Sequence, residues 1–130
     1  MQRCSVQLLL AAAALFSPVA SVQKFLEPPT YREVNPGGDA VLPCVVADLK
    51  GECRWEKDGE PVGIYPEKYE WVGEPQKGEC SLRVRNASME YDNGVWQCQV
   101  TASDFKQRDT LVSDGAELVV RGECWLRFLY

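Results

Sequence analysis

Apolar and polar residues alternate along most of this chain in short runs broken by turns. No stretch between residues 22 and 121 keeps a helical apolar period for three turns. Turn signals recur about every eight to twelve residues, which is the all-β pattern. Val41-Leu42-Pro43-Cys44-Val45-Val46 is expected as a strand, following the turn Asn35-Pro36-Gly37-Gly38. Cys53 to Lys57 is a second, closed by the hairpin dipeptide Asp58-Gly59, with Glu60 to Ile64 returning. Tyr69 to Val72, Cys80 to Arg85, Val95 to Ala102 and Leu111 to Arg121 complete the set.

Period-two alternation assigns faces to these strands. Leu42, Cys44 and Val46 share one side. Cys53 and Trp55 point inward, and Arg54 and Glu56 outward. Leu82 and Val84 share a face with Cys80. Trp96, Cys98 and Val100 share another, leaving Gln97, Gln99 and Thr101 outside. Two sheets can bury the inward sets against each other in a sandwich of about 100 residues.

Composition narrows the chemistry. The chain has 130 residues, enough for one domain, and 14 Lys+Arg against 19 Asp+Glu. A net charge of −5 gives a nucleic-acid groove no electrostatic basis. There is no histidine, which removes Ser-His-Asp and Cys-His mechanisms and imidazole-based zinc sites. No nucleophile motif, phosphate loop or calcium ligand ladder accompanies the carboxylates, so no enzyme, metal or cofactor is expected. Six cysteines, at 4, 44, 53, 80, 98 and 124, with no CxxC pair, indicate a disulfide-stabilised domain from an oxidising compartment.

Both ends are expected to lie outside the domain. Arg3 followed by the Leu- and Ala-rich run Val6 to Phe16 reads as a secretory signal, with small residues at Val19-Ala20-Ser21. Residues 1–21 are therefore assigned to a signal peptide and 22–121 to the domain. Residues 122–130 form a non-domain tail expected to arise from truncation, too short to span a bilayer, so this chain is expected to contain no membrane span. Cys124 is left as the odd cysteine.

Cys44, Trp55 eleven residues later and Cys98 have the spacing of an immunoglobulin domain. Asp92-Asn93-Gly94-Val95-Trp96-Gln97-Cys98 resembles the D-x-G-x-Y-x-C motif of that superfamily, with tryptophan in the tyrosine position. The resemblance implies an all-β, two-sheet antiparallel sandwich of variable type, with room between the cysteines for strands C′ and C″. It implies an inter-sheet Cys44–Cys98 disulfide, a core around Trp55, Leu82 and Trp96, and a second bridge, Cys53–Cys80. It also implies a basic residue at the start of strand D, Lys68, paired with Asp92. Trp55-Glu56-Lys57-Asp58-Gly59, Ser81-Leu82-Arg83-Val84, Asn86-Ala87-Ser88 and Trp96-Gln97-Cys98-Gln99-Val100 resemble the first domain of irregular-chiasm/nephrin-type adhesion receptors. The extra cysteine pair resembles that of an invertebrate immunoglobulin-class fasciclin.

The resemblance implies cell adhesion or recognition by binding another protein, homophilic or heterophilic, through the C-C′-F-G sheet. The partner would be another immunoglobulin-superfamily ectodomain. Mapped by alternation, that face presents Arg54, Glu56, Gln97, Gln99 and Thr101. Val62, Ile64 and Tyr65 add apolar area, and Phe105 lies in the F–G loop. The alternative is a soluble humoral factor, a decoy or pathogen-binding protein. Asn86-Ala87-Ser88 satisfies the N-glycosylation acceptor pattern. The expected location is secreted, or the extracellular face of the plasma membrane.

Overall fold

The computed structural model describes residues 22–122; the signal segment, Cys4, Cys124 and the tail from 123 lie outside the described residues. The strands are β1 (Lys24–Glu27), β2 (Arg32–Val34), β3 (Ala40–Leu42), β4 (Val45–Ala47), β5 (Cys53–Lys57), β6 (Glu60–Val62), β7 (Tyr69–Trp71), β8 (Leu82–Val84), β9 (Gly94–Val100), β10 (Leu111–Val112) and β11 (Ala116–Val120). One short helix, α1 (Met89–Asp92), precedes β9. They form an immunoglobulin-like sandwich. One layer has the order β2-β11-β9-β5-β6, with β10 also on β9. The other is β3-β8-β7, extended by the β1–β4 pair through a Val45–Glu79 bridge. Pairing is antiparallel except where β2 runs parallel to β11.

The β5–β6 hairpin follows from its turn. Asp58 and Gly59 take φ of 51° and 82°, the left-handed pair of a tight two-residue turn whose twist matches the strands. Inward residues from both layers then meet. Trp55 and Trp96 pack edge to face at 6.5 Å. Leu42, Leu82, Val84, Val100, Leu118 and Val120 close around them, all essentially inaccessible. Burying each such aliphatic side chain contributes about 1.5–3 kcal/mol. Two disulfides cross between the layers: Cys44–Cys98, with Cα atoms 6.4 Å apart, and Cys53–Cys80, at 6.2 Å.

Several strands differ from the sequence expectation. The run from 41 to 46 is not one strand. Pro43 has no N–H to give a ladder, and the chain changes partner there, β3 pairing with β8 and β4 with β1. The Cys44 amide instead donates to the Ser81 hydroxyl at 3.0 Å. The run from 111 to 121 also breaks. Val112 faces Gln99 while Ala116 faces Trp96, so residues 113–115 hold one residue more than the opposing strand and bulge, although the Ser113 amide still donates to the Cys98 carbonyl at 2.9 Å. Strand β6 stops at Val62, and Val62 pairs with Trp55 and packs against the core rather than outward. Of the two extra strands for which the cysteine interval leaves room, C′ forms as β6. Residues 63–68 make a loop closed by a Tyr65–Tyr69 bridge.

Candidate protein-binding face

The outer side of the β6-β5-β9-β10 layer is polar across its middle. Arg54 sits opposite Gln99 and Glu56 opposite Gln97 in the β5–β9 ladder, so the four side chains share one face. Pro61 extends the row from Glu56, and Val112 extends the other from Gln99. Arg54 is exposed, while Glu56, Gln97 and Gln99 are half-buried by their neighbours. The Gln97 amide donates to the Ser113 carbonyl at 3.0 Å, tying the bulge to the sheet. Ile64 and Tyr65 are exposed beyond the end of β6.

Thr101 lies just past β9 and has a fixed task. Its hydroxyl accepts from the Glu52 amide at 2.8 Å, and its own amide donates to the Glu52 carbonyl at 3.0 Å. With Arg54, Gln99, Thr110 and Val112 it borders a shallow depression at the upper end of the face.

Above this depression the loop 101–110 is held in shape at its base. The Ser103 amide and hydroxyl both donate to the Asp109 carboxylate. These hydrogen bonds hold that carboxyl below the usual carboxylate range. Gln23 is buried beneath and joins three segments. Its side-chain amide donates to the Thr101 and Asp109 carbonyls at 3.0 and 2.9 Å, and its oxygen accepts from Lys50 and Gly51. At the tip, Asp104 accepts from the Lys106 and Gln107 amides. Phe105 projects there at 94% exposure with the Lys106 ammonium 5.4 Å from its ring. Sequence reasoning picked out Phe105 but missed Gln23, Ser103, Asp109, Pro61 and Val112. Only the Ser/Asp richness of the loop signalled local side-chain caps.

The opposite end of the sandwich is braced by a buried polar cluster. Asp92, fully buried, accepts from Lys68 Nζ at 2.6 Å, from the Tyr69 hydroxyl at 2.5 Å and from the Ser88 amide at 2.7 Å. Lys68 uses its remaining donors on the Arg85 and Asn86 carbonyls. Burial, then the bond to Asp92, pushes the Tyr69 phenol well above its usual value. Trp96 donates its indole N–H to the Asp92 carbonyl at 3.0 Å, four residues upstream. This tryptophan thus makes the back-bond that a tyrosine hydroxyl makes in a tyrosine corner. Asn86 stands exposed in the turn after β8, with φ of 49°.

Among the described residues no cluster of three or more metal-ligating side chains forms, and no helix is long and apolar enough to cross a membrane.

No family model matches the chain. Kin of IRRE-like protein 1 of Rattus norvegicus is 30% identical over 107 residues, covering 78% of this chain and 13% of that protein. The irregular chiasm C-roughest protein of Drosophila melanogaster is 31% identical over 108 residues, 75% of this chain and 14% of that protein. The chain therefore spans only a small part of the length of these curated relatives. The crystal structure of Duf (Kirre) D1 superimposes with a TM-score of 0.68 at 28% identity, covering 76% of this chain and 96% of that one. These relatives are immunoglobulin-superfamily cell-adhesion proteins.

Proposed function

We propose, from the premise that this chain belongs to the immunoglobulin superfamily, that it is an extracellular adhesion or recognition module. It binds another immunoglobulin-superfamily ectodomain through the outer face of β5, β6, β9 and β10. The observation that carries this reading is the row of Arg54, Glu56, Gln97 and Gln99 on one solvent-facing side, flanked by Ile64 and Val112 and topped by Phe105. This polar patch lacks the apolar centre of a tight interface, and with its few exposed apolar neighbours it suits a small, reversible contact. Arg54 and Glu56 carry opposite charge on one strand, so a two-fold contact sets each against the other's copy. The same face accepts a related, non-identical domain whose charges are complementary.

On this reading residues 1–21 are removed on secretion, residues 22–121 are the working module, and Asn86 carries a glycan. That asparagine follows β8 in the other layer, so its glycan leaves the proposed face open. Glycosidase treatment of secreted protein should raise its gel mobility; unchanged mobility removes the glycan from the account.

The experiment is surface-plasmon binding of the secreted chain, with circular dichroism as the folding control. Arg54→Glu and Gln99→Lys should each weaken binding at least about tenfold, or about 1.4 kcal/mol. Unchanged binding by both, with intact folding, moves the site off this sheet.

A further inference from the structure

The two disulfides differ in their access to solvent. Cys44, Cys98 and Cys80 have no accessible surface, whereas Cys53 is half-buried. Cys53 lies where the sandwich opens between the edges of β6 and β7, and two depressions meet at it. One is bordered by Arg54, Pro61, Ile64 and Trp71. The other is bordered by Glu52, Trp71 and Pro75. Cys53 is thus the one cysteine of the two bonds that reaches the surface, with a depression on either side of it, while both residues of Cys44–Cys98 are sealed from solvent.

We infer that Cys53–Cys80 is a site of thiol–disulfide exchange, attacked at Cys53 Sγ by a small-molecule thiol, while Cys44–Cys98 stays intact. Exchange rates depend on which sulfur is attacked and on access to it. The attacking thiolate bonds to Cys53 Sγ as the Cys53–Cys80 bond breaks, and the electron pair leaves on Cys80 Sγ, which takes up a proton. A second thiol attacks the mixed disulfide and releases Cys53 as a thiol. Two small thiols are oxidised to one disulfide, and one protein disulfide is reduced. Because the attacking species is an anion, the depression carrying Arg54 is the favoured approach over the one carrying Glu52.

The sandwich is built to survive this exchange. Cys44–Cys98 still joins the layers, and five residue pairs hold β5 to β9. The Cys80 amide still donates to the Cys44 carbonyl at 2.8 Å, and its carbonyl still accepts the Trp55 indole N–H at 2.9 Å. What is released is the tie across the 27-residue interval that contains β6 and β7. Strand β6 then keeps its pairing with β5 and the packing of Val62 against the core. The exchange stands independently of the proposed binding face, although it would loosen the margin of that face at Pro61 and Ile64.

The test is graded exposure of the secreted full chain to reduced glutathione, with acid quenching, alkylation and peptide-level mass mapping. Cys53 and Cys80 should be labelled at least about tenfold faster than Cys44 and Cys98, while near-ultraviolet circular dichroism persists. Simultaneous labelling of all four, or earlier labelling of Cys44 and Cys98, overturns the inference. Arg54→Glu should slow labelling by glutathione several-fold, and an unchanged rate contradicts approach from the Arg54 side. The double variant C53S/C80S should be secreted and folded; an unfolded product contradicts a sandwich that stands without this tie.

Discussion

The two ends of the sandwich use carboxylates for opposite purposes. At one end Asp92 is sealed from water and gathers Lys68, Tyr69 and the Ser88 amide, with Trp96 bonded to its carbonyl. Asp109, at the other end, lies near the surface and shapes a loop whose tip leaves Phe105 almost wholly in solvent. Both carboxylates are fixed by hydrogen bonds, so what separates them is burial. The buried cluster braces the fold, since removing Lys68 or Tyr69 leaves the fully buried Asp92 carboxylate short of a partner where water has no access. The loop clamp lies near solvent and should contribute less to stability; on the proposed function it orders a surface in advance, which lowers the cost of binding.

This contrast breaks most visibly at Asp92. Asp92→Ala leaves the Lys68 ammonium and the Tyr69 hydroxyl without their acceptor. It should cost about 3 kcal/mol and lower Tm by about 10–20 °C in thermal unfolding. Trp96→Phe should cost about 2 kcal/mol in denaturant unfolding, because it removes both the indole back-bond to Asp92 and part of the packing against Trp55. A cost below about 0.5 kcal/mol for either would show that the cluster is not a brace.

Much of the brace was legible beforehand, and the clamp was not. Cys44, Trp55 and Cys98 announce the fold because two cysteines and an indole at that spacing suit the meeting of two layers. Lys68 and Asp92 could be paired only through resemblance, since 24 residues separate them and local pattern carries no information over that distance. Strands β1 and β2 escaped notice because Pro28 and Pro29 separate them and little alternation shows in three or four residues. Gln23 reads as an ordinary surface glutamine; its burial depends on three chain segments converging. Pro43 and the bulge at 113–115 show the same limit: at Pro43 the chain changes partner while keeping its alternation, and at the bulge it keeps β9 as partner while one extra residue shifts the alternation.

The clamp end should give smaller effects on stability. Ser103→Ala should change unfolding free energy by less than about 1 kcal/mol, yet speed amide exchange at residues 104–108. Acid should loosen the same loop. The Asp109 carboxyl is held below its ordinary value, so its contribution is complete above the unfolded pKa, about 4, and disappears as pH falls through the folded value. Protection of the Ser103 amide, taken relative to its intrinsic exchange rate at each pH, should therefore fall below about pH 4, and equal protection at lower pH would contradict the clamp. Smallest of all, Phe105→Ser should leave stability within about 0.5 kcal/mol while weakening partner binding.

Recognition by the outer face of β5, β6, β9 and β10 is tested most directly by mixing cells that display this chain with partner-displaying cells. Wild type is compared with Arg54→Glu on this face and with Arg83→Glu on β8 of the opposite layer. The account predicts that aggregation is lost with Arg54→Glu and kept with Arg83→Glu at equal surface expression. Loss with Arg83→Glu and retention with Arg54→Glu would contradict it.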